Sequence, residues 1–175
     1  MKAFEYCPKC GHDGLTWSED KRWNCHHCGL IYYHNTAAAV AGVLLNQDKV
    51  LMTVRKHGPG QGMLDLPGGF VDQQETLEQA LSREVREELN IVVAANDWRY
   101  LFSFANRYPY AGIPYHTVDA FFLKQLKVKP DLLCSDDVAD AKWIKFTEVA
   151  IDRIAFDSVR NAVTRLQKNK QQSGL

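Results

Sequence analysis

The fold of this chain is decided by residues 69 to 91, which read Gly-Phe-Val-Asp-Gln-Gln-Glu-Thr-Leu-Glu-Gln-Ala-Leu-Ser-Arg-Glu-Val-Arg-Glu-Glu-Leu-Asn-Ile. Thr76 and Gln79 stand three residues apart, as in a capping box, so a helix is predicted to begin at Thr76. The helix should end near Leu89, because Asn90 is, after glycine, the residue that best tolerates the left-handed conformation that closes a helix.

Three glutamates lie along one edge of this predicted helix. At about 100° per residue, Glu84, Glu87 and Glu88 occupy one arc that borders the apolar stripe. Like charges four residues apart destabilise a helix by roughly 0.2–0.5 kcal/mol, and a divalent cation held by the carboxylates would remove that cost. The alternative is a solvated acidic face, which is the usual fate of an acidic run. The neighbouring Pro-Gly-Gly turn favours the metal site, because Gly68 and Gly69 would let the backbone approach a bound phosphate.

The segment resembles the Nudix box, G-x5-E-x7-R-E-U-x-E-E-x-G-U, in which U is a bulky aliphatic residue. The matching positions are Gly69, Glu75, Arg83, Glu84, Val85, Glu87, Glu88 and Ile91. Only the second glycine departs, and Asn90 in its place keeps the same stop signal. The resemblance implies a hydrolase of diphosphates linked to another group, with Mg²⁺ or Mn²⁺ held by Glu84, Glu87 and Glu88. It also implies that Arg83 pairs with Glu75.

The family often adds an acidic residue from a later loop, as a metal ligand or a base. The resemblance assigns this role to Asp137, in the stretch Asp136-Asp137-Val-Ala-Asp-Ala-Lys-Trp143. Aspartate is also common in turns. A turn solvated by Asp136 and Asp137 explains the same residues equally well, and both interpretations stay open.

Four cysteines near the start form two C-x2-C pairs with 14 residues between them: Cys7, Cys10, Cys25 and Cys28. This spacing predicts a tetrahedral Zn²⁺ site, although a reactive dithiol is an alternative. Four thiolates leave no open position, so the zinc should be structural. Residues 1–34 carry four basic and four acidic side chains. Since phosphate-backbone binding needs a surplus of Lys and Arg, this ribbon is predicted to serve packing or formation of a homodimer, not nucleic acid binding.

Composition predicts one compact domain with a small appendage, because the chain has 175 residues, zero formal charge and 46% hydrophobic residues. The first residues have no apolar stretch typical of a secretory signal, and the longest apolar run, residues 37–45, is too short for a bilayer. Together with zinc-binding thiols, this indicates a cytoplasmic protein without a membrane partner.

The remaining pattern predicts an α/β fold with a mixed sheet. Strands are expected at residues 37–45, 49–55, 98–104, 116–125 and 142–144, and a last helix should bury Phe156, Val159, Val163 and Leu166. Helices on both sides of the sheet make a three-layer α/β/α sandwich, which the family resemblance also implies. The predicted boundaries are 1–34 for the zinc ribbon, 35–170 for the Nudix domain and 171–175 for a polar tail.

A zinc ribbon followed by a Nudix domain resembles the NADH pyrophosphatases, so the expected substrate is a small nucleotide-type diphosphate such as NADH, ADP-ribose or a nucleotide sugar. In residues 103–112, Tyr108 and Tyr110 are candidates to stack on a base and Arg107 to contact a phosphate. A hairpin loop with packed aromatic rings explains the same residues equally well. The alternative function is a non-catalytic nucleotide sensor or RNA-associated adaptor, but such a protein would be expected to lose box carboxylates, and all three are present.

Overall fold

The computed structural model describes residues 4–19, 21–135 and 137–173. Near the start of the described chain, a small antiparallel sheet is formed by β1 (Leu15–Ser18), β2 (Arg22–Cys25) and β3 (Ile31–Tyr33). The buried ring of Trp23 lies at its centre, with the rings of Phe4 and Trp17 at 5.7 Å and 5.2 Å. These few aromatic contacts give the segment little core of its own.

A second, six-stranded sheet contains β4 (Ala37–Asn46), β5 (Lys49–Arg55), β6 (Leu64–Asp65), β7 (Arg99–Tyr110), β8 (Ile113–Gln125) and β9 (Val138–Lys145). The order is β6-β5-β4-β8-β7, and β9 pairs with β5. The central pair β4 and β8 is parallel over nine residue pairs, from Ala37 with Thr117 to Leu45 with Gln125, whereas the other pairs are antiparallel. The predicted mixed sheet is therefore confirmed.

Two α-helices flank this sheet, α1 (Leu77–Leu89) and α2 (Asp157–Ser173), and three short 3₁₀ helices join the strands at Ala95–Asp97, Phe146–Glu148 and Ile151–Arg153. The predicted capping box is present: the Thr76 side chain accepts from the backbone of Gln79, and the Gln79 side chain accepts from the backbone of Thr76. Asn90 closes α1 with φ at 57°. Both helix ends lie where the sequence predicted them.

The sheet separates two hydrophobic cores because successive residues of β4 point to opposite faces. Val40 and Leu44 pack with Leu81 and the other apolar residues of α1. Ala41 and Val43 pack in the second core, which includes the buried residues of α2. Helices thus cover both faces, and the predicted α/β/α sandwich is confirmed.

Several strands and the last helix are longer than the sequence predicted. Strands β7 and β8 form a hairpin that continues to Tyr110 and Ile113, and β9 has eight residues where three were expected. Many residues in these extensions are exposed, so their hydrophobic pattern is weak. Helix α2 buries Val159 and Val163 as predicted, whereas Leu166 is only partly buried and Phe156, also partly buried, precedes the helix. The helix continues to Ser173, into the predicted polar tail. The tail's last two residues lie outside the described part of the chain.

Candidate active site

A cavity of about 270 Å³ opens where the Pro-Gly-Gly turn meets α1, the start of β4, and strands β7 and β8. Six carboxylate side chains line it, those of Asp65, Asp72, Glu84, Glu88, Asp119 and Asp137. Like charges so close together are costly in a partly buried site unless protons, arginines or metal ions offset them. The cavity is therefore suited to cations.

The turn before α1 is held against the sheet by its backbone. The N–H of Val40 donates to the carbonyl of Gly69 at 2.9 Å, and the N–H of Gly42 donates to the carbonyl of Pro67 at 2.8 Å. A Cβ on Gly68, whose φ is +144°, would stand 2.1 Å from the carbonyl oxygen of Val40. Glycine is thus required here by the packing of the protein itself, a reason that the sequence did not reveal.

The second glycine of the turn brings the backbone against α1. A Cβ on Gly69 would stand 2.6 Å from Oε1 of Glu84. The Glu84 carboxylate consequently lies directly over the turn, at the wall of the cavity.

Glu88 is buried and faces the cavity. Its Oε2 accepts a 3.0 Å hydrogen bond from the backbone N–H of Gly68. Burial raises the pKa of Glu88 well above its usual value, the Gly68 N–H partly opposes this, and the negative charges of Glu84 and Asp65 raise it further. A cation bound beside Glu88 would favour its ionised form.

Arg83 is the counter-cation of the glutamates on the outer side of the helix. Its guanidinium donates to both carboxylate oxygens of Glu75, at 2.8 Å and 3.0 Å, which confirms the predicted pair. The same group reaches Glu84 at 2.8 Å and Glu87 at 3.3 Å. The hydrogen bonds from Arg83 lower the pKa of Glu75.

Glu87 differs from the other two box glutamates in its surroundings. Its side chain is 43% exposed, is bonded to Arg83, and is not part of the cavity lining. Among the described residues, the only group of three or more His, Cys, Asp or Glu side chains with ligand atoms within 4.8 Å of one another is the set of four cysteines. Glu84, Glu87 and Glu88 therefore share one edge of α1, as predicted, without converging on a single point.

Two further polar groups of the cavity were not identified from the sequence. Asp65 forms a 2.9 Å ion pair with Arg55, whose guanidinium also stacks at 4.8 Å over the ring of Phe156. Burial raises the pKa of Asp65 to about 6, although the charge of Arg55 and its hydrogen bond act in the opposite direction. The sequence signal that could have identified Asp65 is its position as an acidic residue inside the apolar stretch of residues 63–67.

Asp119 is the second of these groups, and it lies on β8. It is buried, and its two carboxylate oxygens accept from the hydroxyls of Thr117 at 2.5 Å and Ser158 at 2.6 Å. The bond from Ser158 ties β8 to the first turn of α2, whereas the bond from Thr117 lies within β8. An acidic residue between the apolar residues Val118 and Ala120 of a predicted strand was the sequence signal for it.

The other predicted site residues are divided between the cavity and the surface. Asp137 lines the cavity with an exposed side chain. Tyr108 also lines it, with its ring 5.6 Å from Phe70 and 5.5 Å from Phe156. Neighbouring strand residues point to opposite faces, so Arg107 is exposed on the other side of β7.

Tyr110 lies further along β7, away from the cavity lining. Its side chain is 58% exposed, and its ring stacks on that of Tyr108 at 6.4 Å. Tyr110 therefore lies mostly exposed on the hairpin, whereas Tyr108 contacts both the hairpin and the cavity.

The four cysteines form a separate metal-ligating site. Their sulfur atoms lie within 4.8 Å of one another, with 3.7 Å between Cys7 and Cys28 and 3.8 Å between Cys10 and Cys25. A tetrahedral ion with bonds of about 2.3 Å to sulfur needs separations of about 3.8 Å, so the group fits zinc. Cys134 stands apart from it, as an exposed free thiol.

The pKa values of two of these cysteine thiols are shifted in opposite directions. Burial raises the pKa of Cys7, but backbone hydrogen bonds from Cys10 and Lys9 outweigh it and lower the pKa to about 6. The backbone of His12 lowers the pKa of Cys10, whereas burial and the neighbouring thiols raise it to about 12. Four thiolates so close together require a cation to offset their repulsion.

No helix in the described part of the chain is long and apolar enough to cross a membrane.

Comparison with known proteins assigns the larger sheet and its helices to a family. Residues 35–165, more than half of the chain, match the model of the NUDIX domain. An ADP-ribose pyrophosphatase of Methanocaldococcus jannaschii is 30% identical over 125 residues, which cover 71% of this chain and 70% of that protein. The NAD-capped RNA hydrolase NudC of Yersinia pestis is 34% identical over 154 residues, which cover 86% of this chain but only 54% of that protein.

A solved structure shares the fold over almost the whole length. The crystal structure of a NUDIX hydrolase from Nitrosomonas europaea matches with a TM-score of 0.69 and covers 97% of this chain and 94% of that one, at 23% identity. Because the match covers 97% of this chain, it includes the cysteine-bearing segment.

Proposed function

Because the chain belongs to the Nudix family, we propose that it hydrolyses the diphosphate bond of a nucleoside diphosphate linked to another moiety, of the ADP-ribose, NADH or nucleotide-sugar type. The observation that carries this proposal is the buried carboxylate of Glu88, hydrogen-bonded to the Gly68 turn inside an acidic cavity. The similarity to an ADP-ribose pyrophosphatase and to an NAD-capped RNA hydrolase supports the same class of substrate.

The carboxylates of Glu84 and Glu88 are proposed to hold Mg²⁺ or Mn²⁺, with Glu87 joining them after release from Arg83. These hard cations prefer carboxylate oxygens and substrate phosphates, which fits the donors in the cavity. When bound, the metal supplies Lewis acidity and neutralises charge on the phosphates. Asp137 is proposed as the additional acidic group, since it lines the same cavity from the β9 side.

The chain's own residues would position the nucleoside. The rings of Tyr108 and Phe156 lie 5.5 Å apart at the cavity wall and offer aromatic faces for a base. Gly68 and Gly69 would lie beside the diphosphate. Arg107 and Tyr110 lie outside the cavity, so a role for them requires a substrate that reaches beyond it.

The four cysteines are proposed to hold a structural Zn²⁺ ion, which would stabilise a segment with a small core of its own. Thiols that must stay reduced favour the cytoplasm as the location. We also propose that the zinc ribbon ends at residue 34 and the Nudix domain at residue 170. Formation of a homodimer is a further proposal.

A substrate panel tests the function. The protein is incubated with Mg²⁺ and, separately, NADH, ADP-ribose, a nucleotide sugar, a dinucleoside polyphosphate and a nucleoside triphosphate, and the products are identified by mass spectrometry. We expect cleavage between the two phosphorus atoms of NADH, ADP-ribose or the nucleotide sugar. Binding of these compounds without cleavage would favour the nucleotide sensor instead.

A further inference from the structure

The β7–β8 hairpin extends beyond the body of the larger sheet. Strand β4 pairs with β8 from Ala37, opposite Thr117, onward. The hairpin continues past this point in residues 107–110 and 113–116, which pair only with each other in the described part of the chain. We refer to these residues as the outer hairpin. Because a two-stranded hairpin by itself is marginally stable in water, the position of the outer hairpin depends on contacts with the rest of the molecule.

The position of the outer hairpin matters to the acidic cavity because of Tyr108. This residue lies in the outer part of β7, lines the cavity, and contacts the ring of Phe156 at 5.5 Å. Its direct partner across the hairpin is Tyr115. Side chains of direct partners lie on the same face, with Cβ atoms about 5 Å apart. A group that fixes Tyr115 therefore also limits where Tyr108 can lie.

His34 contacts Tyr115 from outside the hairpin. The two rings lie 5.7 Å apart at an interplanar angle of 82°. This edge-to-face arrangement is one of the two that aromatic rings prefer. His34 directly follows β3, so the small sheet sets the position of its backbone.

His34 is held in turn by the cysteine-bearing segment. The ring of Phe4 lies 5.8 Å from that of His34 and 5.7 Å from that of the buried Trp23. Trp23 is on β2, the middle strand of the small sheet. A series of ring contacts therefore connects the small sheet with the outer hairpin, and its members are Trp23, Phe4, His34 and Tyr115.

We propose that His34 is a positioning residue, which holds the outer hairpin so that Tyr108 meets the nucleoside of the substrate. The inference rests on the proposed function, which puts the nucleoside against Tyr108 and Phe156. The proposed metal ligands Glu84 and Glu88 are on α1, outside the hairpin. Loss of the His34 contact should therefore weaken substrate binding and leave the chemical step unaltered. The cysteine-bearing segment then assists substrate binding in addition to its structural role.

Kinetics with ADP-ribose test this role of His34. We expect His34→Ala to raise the KM about fivefold, as the loss of one aromatic contact would, and to leave kcat within about twofold. His34→Phe keeps a ring at the same position and should restore most of the affinity. The matched control is Tyr33→Ala, which removes the neighbouring ring of β3. Because that ring is 51% exposed, the KM should stay unchanged.

A double variant shows whether the effect of His34 passes through Tyr108. In a chain that carries Tyr108→Ala, the additional change His34→Ala should alter the KM by less than about twofold, because the ring that His34 positions is absent. A general loss of stability would raise the KM in both backgrounds. An equal rise in the two backgrounds would therefore overturn the inference.

Hydrogen exchange tests the hairpin without a substrate. His34→Ala should increase deuterium uptake in residues 107–116 and leave residues 117–125, which pair with β4, unchanged. Unchanged uptake in the outer hairpin, or increased uptake with an unaltered KM, would overturn the inference. If the unaltered chain cleaves none of the compounds in the substrate panel, the proposed function fails, and the exchange result still decides whether His34 holds the outer hairpin. Zinc content and the urea midpoint of each variant establish that the small sheet is intact.

Discussion

The backbone N–H of Gly68 and the Oε2 atom of Glu88 are joined by a 3.0 Å hydrogen bond. This bond connects the turn before α1 with the last turn of the same helix, beside the acidic cavity. The turn can approach the helix in this way because Gly68 adopts a φ of +144° and has no Cβ to meet the carbonyl of Val40.

Gly68→Ala tests the packing of the turn. The substitution should destabilise the protein by about 3 kcal/mol, because the new methyl group would lie 2.1 Å from a backbone oxygen at a φ that L residues rarely adopt. The control is Gly62→Ala, where φ is +77° but no atom lies within 4 Å of the added Cβ, so only about 1 kcal/mol should be lost. Urea denaturation measures both, and equal losses would contradict the packing argument.

Glu88→Gln tests the proposed catalytic site. We expect turnover to fall by at least ~10²-fold with the fold intact, because the amide keeps an acceptor for the Gly68 N–H but loses the charge that binds a divalent cation. Glu78→Gln, on the first turn of the same helix and outside the cavity lining, is the control and should retain its rate. Near-normal turnover by the Glu88 variant would remove this residue from the mechanism.

The raised pKa of Glu88 makes its effect on stability depend on pH. Its folded pKa lies above its unfolded value, so its contribution is fully present below the unfolded pKa and is lost as the pH rises through the folded pKa. Without divalent cations, Glu88→Gln should therefore become progressively more stable than the unaltered protein as the pH rises above 4.5, the ordinary pKa of a glutamate. Urea midpoints across this range measure the difference, and a difference independent of pH would show that the burial cost is absent.

Local sequence signals predicted the framework of the site. The ends of α1 followed from Thr76, Gln79 and Asn90, because capping depends on residues a few positions apart. The shared edge of the three glutamates followed from helical periodicity alone. These features require no knowledge of the rest of the chain.

The remaining features of the site depend on contacts between distant parts of the chain. Asp119 was missed because its partner Ser158 is 39 residues away, and Asp65 was missed because its partner Arg55 is on another strand. The separation of Arg107 from Tyr108 depends on which face of β7 turns towards α2. Periodicity gives the alternation of side chains but not which face forms the cavity.

The four-cysteine group leads to a prediction for metal content. Cys28→Ser should remove most of the bound zinc and unfold the small sheet, because three thiolates and a hydroxyl make a weaker tetrahedral site. Cys134→Ser removes a thiol outside the group and should retain about one zinc ion per chain. Elemental analysis of the purified variants gives the zinc content. Equal zinc in the two variants would exclude Cys28 as a ligand.

The departure of this chain from the usual glycine at the end of α1 can be tested at Asn90. Its φ of 57° is left-handed, and its backbone N–H bonds to the carbonyls of Arg86 and Val85. Asn90→Gly should leave stability unchanged or raise it slightly, since glycine adopts this conformation without a steric cost. Asn90→Ala should cost about 1 kcal/mol, because a β-carbon crowds the carbonyl oxygen in left-handed backbone. Urea denaturation of the two variants measures the difference. If alanine is tolerated as well as glycine, then the left-handed conformation of residue 90 does not fix the end of the helix. The position of Glu88, two residues earlier, then depends on its hydrogen bond from Gly68.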